Sequence, residues 1–368
     1  WTYETGIKYP LGGYVVDDNT IYFHRGSGPF SNPDSSLYAV NTSTHDKEWV
    51  KKGLSSGYSG GLAMHRDTLF SVGENSSLHA INKSTGTTEW KYDTNLSLPD
   101  LNFRDGVVYY SGEEKIHAVD SESGEKIWAT KRLNVSTSYG TAVDSKNLYA
   151  LSERENNDPE LSEDTVVRAI NRSDGDTVWK NNVSGLYTWS PSVSNGRVYV
   201  GGGVANTTPV DDDSNTRYDT GLLQSLNAST GKKQWRFEFE CNDCTPPMLS
   251  SLAVTDKRVY FATDTEKLYG LNSTSGQKDW EYGSEKQRII YTGFTVADGA
   301  IYLVSRGTPK EGGSTDVLRS IDAETGEVLW KFKQVPVLNW PVAVHNNTVY
   351  VSGSMDVSST VSAGGGSY

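Results

Sequence analysis

Cysteine is nearly absent from this chain. Its 368 residues hold two, Cys241 and Cys244, in the stretch E-C-N-D-C-T-P-P. A zinc site needs two more soft ligands, and the six histidines are scattered singly. A thioredoxin-like redox pair would want a βαβ context, and haem attachment would want a following histidine. Neither is there, so the pair reads as a local disulfide pinning a loop. Helix-period stretches are also lacking, and no apolar run approaches the roughly 20 residues of a membrane span. Positive charge is short, with 34 Lys and Arg against 46 Asp and Glu, a net charge of −12. That balance excludes nucleic acid, whose phosphates need a basic face. The glycine runs at Gly201–Gly203 and Gly364–Gly366 precede no Lys-Ser/Thr and no helix, so they are not phosphate loops. H-E-x-x-H and G-x-S-x-G are absent. So is an initiating methionine, and a chain opening on Trp1 reads as a processed or trimmed product.

What the chain has is a repeat. The stretch A-I-N-K-S-T-G-T-T-E-W, Ala80 to Trp90, recurs with fixed internal distances. Seven tryptophans end such a stretch: Trp49, Trp90, Trp128, Trp179, Trp235, Trp280 and Trp330. Eight residues before each stands Asn or Asp, and ten before stands Ala, Ser or Gly. Four before stands glycine, except in the first copy, where it is His45. The spacing predicts a hairpin: a strand ends at the Asx residue, glycine takes the positive φ of the turn, and a second strand carries the tryptophan. Recurrence in register marks an internal repeat, whose units of roughly 40–50 residues cannot bury their faces alone.

A second signature, an aliphatic followed by Tyr or Phe, occurs eight times: Tyr22, Phe70, Tyr109, Tyr149, Tyr199, Tyr260, Tyr302 and Tyr350. The last has no tryptophan stretch after it, and Trp1 stands unpartnered at the start, so Trp1 is read as the eighth outer tryptophan. The expectation is one all-β domain over 1–368: an eight-bladed β-propeller of four-stranded antiparallel blades, closed by the N-terminal strand joining the last blade.

Four insertions interrupt the pattern: after His24, at Glu153–Asp164, at Gly201–Gly221 and after Gly307. Each falls between the second and third strands of a blade, so they share one face of the ring, where recognition usually resides. The third holds Asp211, Asp212, Asp213, Asn215 and Asp219, hard oxygen ligands in a loop that a Ca²⁺ ion would accept, though without the EF-hand spacing. A solvated acidic loop is the simpler reading, and no cofactor is required. N-x-[ST] sequons begin at Asn41, Asn75, Asn82, Asn95, Asn134, Asn171, Asn182, Asn206, Asn227, Asn272 and Asn346. Such triplets are also good turn chemistry, and five of them are the Asx residue of the repeated turn. Their number predicts N-linked glycans if the protein is exported. A glycosylated, acidic, cysteine-poor chain suits an archaeal cell surface.

The repeats, reading V-Y-V … L-Y-A-I-N-x-x-T-G-x-x-x-W, resemble those of pyrroloquinoline-quinone (PQQ) enzymes and PQQ-like propellers over nearly the whole chain. That resemblance implies the tryptophan-docked propeller and leaves two functions open, because the family holds dehydrogenases and non-catalytic scaffolds. The dehydrogenases hold the quinone on the ring axis with Ca²⁺ or a lanthanide, a catalytic Asp and a disulfide between adjacent cysteines. Here no cysteines are adjacent and no catalytic Asp aligns. The reading is therefore an extracellular or cell-surface scaffold of the BamB-like branch, with proteins as partners, including copies of itself in a filament or layer. The alternative is a PQQ- and Ca-dependent dehydrogenase or a small-ligand binder.

Overall fold

The computed structural model describes residues 2–4, 13–25, 35–54, 61–73, 76–94, 100–112, 115–131, 133, 140–153, 165–183, 190–205, 218–244, 249–263, 267–283, 288–306, 316–335, 337–338, 342–355 and 358–365. Every element of length is a strand. Seven antiparallel sheets of four strands follow in chain order, spanning 14–52, 62–92, 100–129, 141–183, 192–244, 249–282 and 288–335. Within each blade the strands pair in sequence order.

The expectation of eight four-stranded blades is corrected: the described residues form seven. The remaining strands make a terminal sheet of five, in which Thr2–Glu4 pairs Ser358–Gly365, which pairs Thr348–Met355. Two short strands, Val337–Leu338 and Ala343–His345, share the place that one inner strand holds in a blade. The sequence gives the reason. In the sequence Pro336 precedes the first of these strands and Pro341 falls between the two, neither able to donate to a ladder, and no Asx-Gly-Trp stretch follows Tyr350. Ala343–His345 contacts both Arg288–Ala297 of blade seven and Tyr14–Val16 of blade one, so the terminal sheet completes the circle. His345 and Asn346 both reach Asp18 of blade one, at 3.2 and 3.4 Å.

The repeat becomes intelligible in the register. In blade one Tyr22 lies opposite Ala39 and Ala39 opposite Trp49, so the small residue separates two large rings in one cross-strand row. The rings meet over it, 5.9 Å apart. The same row runs through Phe70–Ala80–Trp90 and Tyr260–Gly270–Trp280. A Cβ added at Gly270 would stand 2.3 Å from the Trp280 ring, which is why nothing large occupies this position. Just before each tryptophan the outer strand bulges. Ala39 faces Trp49 and Val40 faces Lys47, leaving Glu48 as the extra residue.

Blades lock to one another through the tryptophans. Trp49 lies on Gly86 of the next blade, and its indole N–H donates to the Lys83 carbonyl at 2.8 Å. Trp90 on Gly124, Trp128 on Gly175, Trp179 on Gly231 and Trp235 on Gly276 do the same, each donating to the carbonyl one residue after the Asx. Trp280 lies on Gly326, but its N–H finds no acceptor among the described residues. Trp330 packs instead on Val342, Val349 and Val351 of the terminal sheet. Trp1 lies outside the described residues.

Glycine under each indole is needed twice over. Gly175 has φ +79°, and a Cβ there would stand 2.6 Å from the Trp128 ring. Gly175→Ala is expected to cost at least about 2 kcal/mol, from left-handed backbone strain and overpacking together. His45 holds the equivalent position with φ 66°. His45→Gly is expected to stabilise by up to about 1 kcal/mol. Urea unfolding midpoints check both signs, and equal shifts in one direction would contradict the account.

Candidate functional site

The ring has two rims. One carries the Asx turns. The other receives the chain at the ends of second strands and returns it at the starts of third strands, where all four insertions belong. Segments 26–34, 154–164, 206–217 and 307–315 lie outside the described residues. Asp211, Asp212, Asp213 and Asn215 fall there, and Asp219 is placed only by its backbone, on the strand Tyr218–Asn227. Cys241 and Cys244 are likewise placed by backbone alone, at the end of the strand Lys233–Cys244, with Cys244 opposite Tyr218.

The turn rim is fully built. The Asx oxygen of the turn accepts backbone N–H groups: two at Asn41, from Ser43 and Thr44, both at 2.9 Å, and one at Asn171, from Ser173. Asn82, Asn171, Asn227 and Asn272 turn the chain likewise. Asp120 and Asp322 do the same work, and the amides they accept hold their carboxyls below the usual range. Three of the sequon amides are engaged as well: Asn41 and Asn82 donate to the bulge residues Glu48 and Glu89, and Asn346 donates to Asp18 of blade one. Asn182 lies on the outer strand Thr177–Val183, and Asn346 sits in a turn with φ 46°. Asn75, Asn95, Asn134 and Asn206 lie outside the described residues.

Several titratable groups that the sequence did not single out are buried. His24, on Thr20–Arg25, shares a hydrogen bond of 3.0 Å between its Nε2 and the Ser71 hydroxyl of the next blade. Both side chains are sealed from solvent, so this Ser-His contact cannot meet a substrate. Burial pulls His24 down to about 4. His79 contacts Ser77, and His117 contacts the Tyr92 hydroxyl across the seam between blades two and three; burial lowers both imidazoles.

Asp100 differs from these. It opens the inner strand Asp100–Arg104 of blade three at the insertion rim, near the ring axis, and accepts the Thr141 backbone N–H of blade four at 3.2 Å. Desolvation raises its carboxyl above the usual range. Gly140 makes room for it, since a Cβ there would meet Asp100 and Ser190 of blade five. Asp100 is thus a buried carboxyl where three blades converge, on an inner strand of the ring. Its signal in the sequence is slight, one Asp after a proline.

Four-stranded blades, with the outer tryptophans from Trp49 to Trp280 docked on the next blade's Asx-Gly turn, define a PQQ-like β-propeller. A family model described as outer membrane protein assembly factor BamB matches residues 11–92, 33–157 and 162–308. The chain belongs to that family. Among solved structures, BamB from Moraxella catarrhalis superposes with a TM-score of 0.63 at 14% identity, covering 98% of this chain and 95% of that one. A quinohemoprotein alcohol dehydrogenase from Pseudomonas putida gives 0.62 at 14% identity, covering 98% of this chain and 75% of that one. At such identities the likeness is one of fold. A curated relative, tetrathionate hydrolase of Acidithiobacillus ferrooxidans, is 25% identical over 277 residues, 67% of this chain and 52% of that protein. The chain thus spans about half the length of that relative.

The described residues do not fit a calcium-quinone centre. No three His, Cys, Asp or Glu side chains among them converge on one point. Asp100 is a single carboxyl already held by a backbone N–H, and the two cysteines are not adjacent.

The buried imidazoles make stability pH-dependent. His24 stays neutral in the fold down to about 4, while the unfolded chain takes up its proton near 6.5. Stability is therefore complete above 6.5 and falls as pH drops toward 4, by about 3 kcal/mol at most from this group. His79 and His117 act with the same sign. Urea midpoints across this window should fall, and fall less in His24→Gln; identical profiles for the two proteins would remove His24 as a cause.

Proposed function

We propose that this chain is a non-catalytic scaffold of the cell envelope, a rigid ring that presents its insertion rim to other proteins. The observation that carries the reading is topological. The Asx turns and tryptophan docks that hold the ring together occupy one rim, and the insertions of blades one, four, five and seven all leave from the other. The family match to an outer-membrane assembly factor supports it. On this reading the protein works outside the cytoplasm, at the cell surface. It carries N-linked glycans on exposed sequons, and copies of the chain associate with one another or with other surface proteins.

A second reading rests on Asp100. A raised carboxyl close to the axis could hold and release a proton for a small ligand in the funnel, as an enzyme requires. The two readings part on one experiment. The protein is titrated with PQQ and Ca²⁺, then assayed for dye reduction with alcohols and for tetrathionate hydrolysis. The scaffold reading expects no saturable quinone binding and no turnover. Either activity, lost in Asp100→Asn, would overturn it. Intact mass of native material above the 40.4 kDa of the polypeptide tests the glycans.

A further inference from the structure

The residue just before the small residue of each third strand looks back toward the preceding blade. It is His117 in blade three, Arg168 in blade four and Arg319 in blade seven. His117 shares a hydrogen bond of 2.7 Å with the Tyr92 hydroxyl of blade two, and Arg168 donates from Nε to the Ser152 hydroxyl at 3.1 Å. Arg319 is not met in this way. It is only 2% exposed, one of the largest fully buried side chains of the ring. Its Nη1 reaches the Val317 carbonyl of its own strand at a long 3.4 Å, and its Nε has no partner among the described residues.

Its other neighbour is the Tyr282 hydroxyl of blade six, which follows Trp280 by two residues as Tyr92 follows Trp90. Burial raises the Tyr282 phenol, and the guanidinium's charge and hydrogen bond oppose that rise. A hydroxyl that accepts from Arg319 still has its own proton to donate. Among the described residues no carboxylate pairs with Arg319. Glu281, adjacent to Tyr282, lies opposite Tyr269 and is taken by Lys267 and Lys278 of its own blade. Lys331, opposite Arg319 in the register, adds a second positive charge. The same seam holds a further unmet donor, the Trp280 indole N–H. Water satisfies a donor but leaves the charge uncompensated, and an unpaired buried charge is strongly destabilising. Donors gathered around a positive charge, with no acceptor to match them, are what an anion requires. Arg319 is sealed, so a carboxylate carried by another protein does not reach it. A single-atom ion does.

We propose that a halide ion, chloride in solution, binds between blades six and seven, held by the Arg319 guanidinium and the Tyr282 hydroxyl. The ion supplies the counter-charge that the fold withholds from Arg319. It thereby tightens the seam whose indole N–H lacks the carbonyl that the earlier docks have. The site lies inside the ring and stands whichever function the rims serve.

The test exchanges gluconate for chloride at constant ionic strength in the intact chain, reading the melting temperature and the Trp280 indole N–H by NMR. Chloride should raise the melting temperature saturably, by about 3 °C, because an ion that binds only the folded ring stabilises it by mass action. The Trp280 resonance should move with the same midpoint. Arg319→Met, which removes the charge at similar volume, should melt at or above the native chain in gluconate and ignore chloride. Tyr282→Phe should raise the chloride midpoint about tenfold. Native crystals soaked in bromide should show an anomalous peak beside Arg319. Equal melting in the two salts, or the same chloride response in Arg319→Met, overturns the proposal. Absence of the bromide peak overturns it whether or not Arg319→Met folds. So does a response to formate without one to chloride, since the ligand would then be a carboxylate.

Discussion

Everything in this ring depends on an indole lying flat on a glycine. The contact joins two requirements that no other residue pair meets together. The turn needs a left-handed residue, and the tryptophan needs a surface without a Cβ. Glycine supplies both, and the indole N–H then falls within reach of the carbonyl one residue past the Asx. Packing of the indole on the glycine adds dispersion contacts of about 0.1–0.2 kcal/mol per atom pair, and a hydrogen bond adds about 1 kcal/mol. Neither is large alone, but the dock repeats between successive blades. Among the described residues the strands pair only within sheets, so what joins one blade to the next is side-chain contact, of which the dock is the most regular.

The docks also apportion the molecule. Because they gather on the turn rim, sequence change there is constrained by packing, and the freedom to insert lies on the opposite edge. The exception is the residue after the Asx. Only its backbone carbonyl serves the dock, so its side chain varies among Thr42, Lys83, Ser121, Arg172, Ala228, Ser273 and Ala323. Lys83 and Arg172 turn that freedom into cross-seam ion pairs.

Much of this was legible in the sequence, for a physical reason. Tryptophan, glycine, Asx and the small residue each answer to one backbone or packing demand, so they recur at fixed spacing. The aromatics recur because they meet those tryptophans over the small residue. What was not legible lacks a period. Arg172 acts on Asp105 and Tyr109, 67 and 63 residues away, and nothing in N-R-S-D-G announces them. Asp100 and His24 matter through burial, which spacing does not report. The terminal sheet departs from the period: the aromatic signature persists at Tyr350, but with no Asx-Gly turn and tryptophan after it the chain builds a sheet of another kind. The insertion loops and both cysteine side chains lie outside the described residues, so the chemistry assigned to them rests on composition.

Hydrogen exchange at the indole nitrogens tests the docking account most directly. Trp49, Trp90, Trp128, Trp179 and Trp235 each donate to a carbonyl of the next blade. Their N–H protons should exchange slowly and together, at the rate of the core strands, and a single alanine under one indole should speed its neighbours as well as itself. Five independent fast rates, or protection that survives Gly175→Ala unchanged, would mean that something other than the tryptophan docks holds the ring.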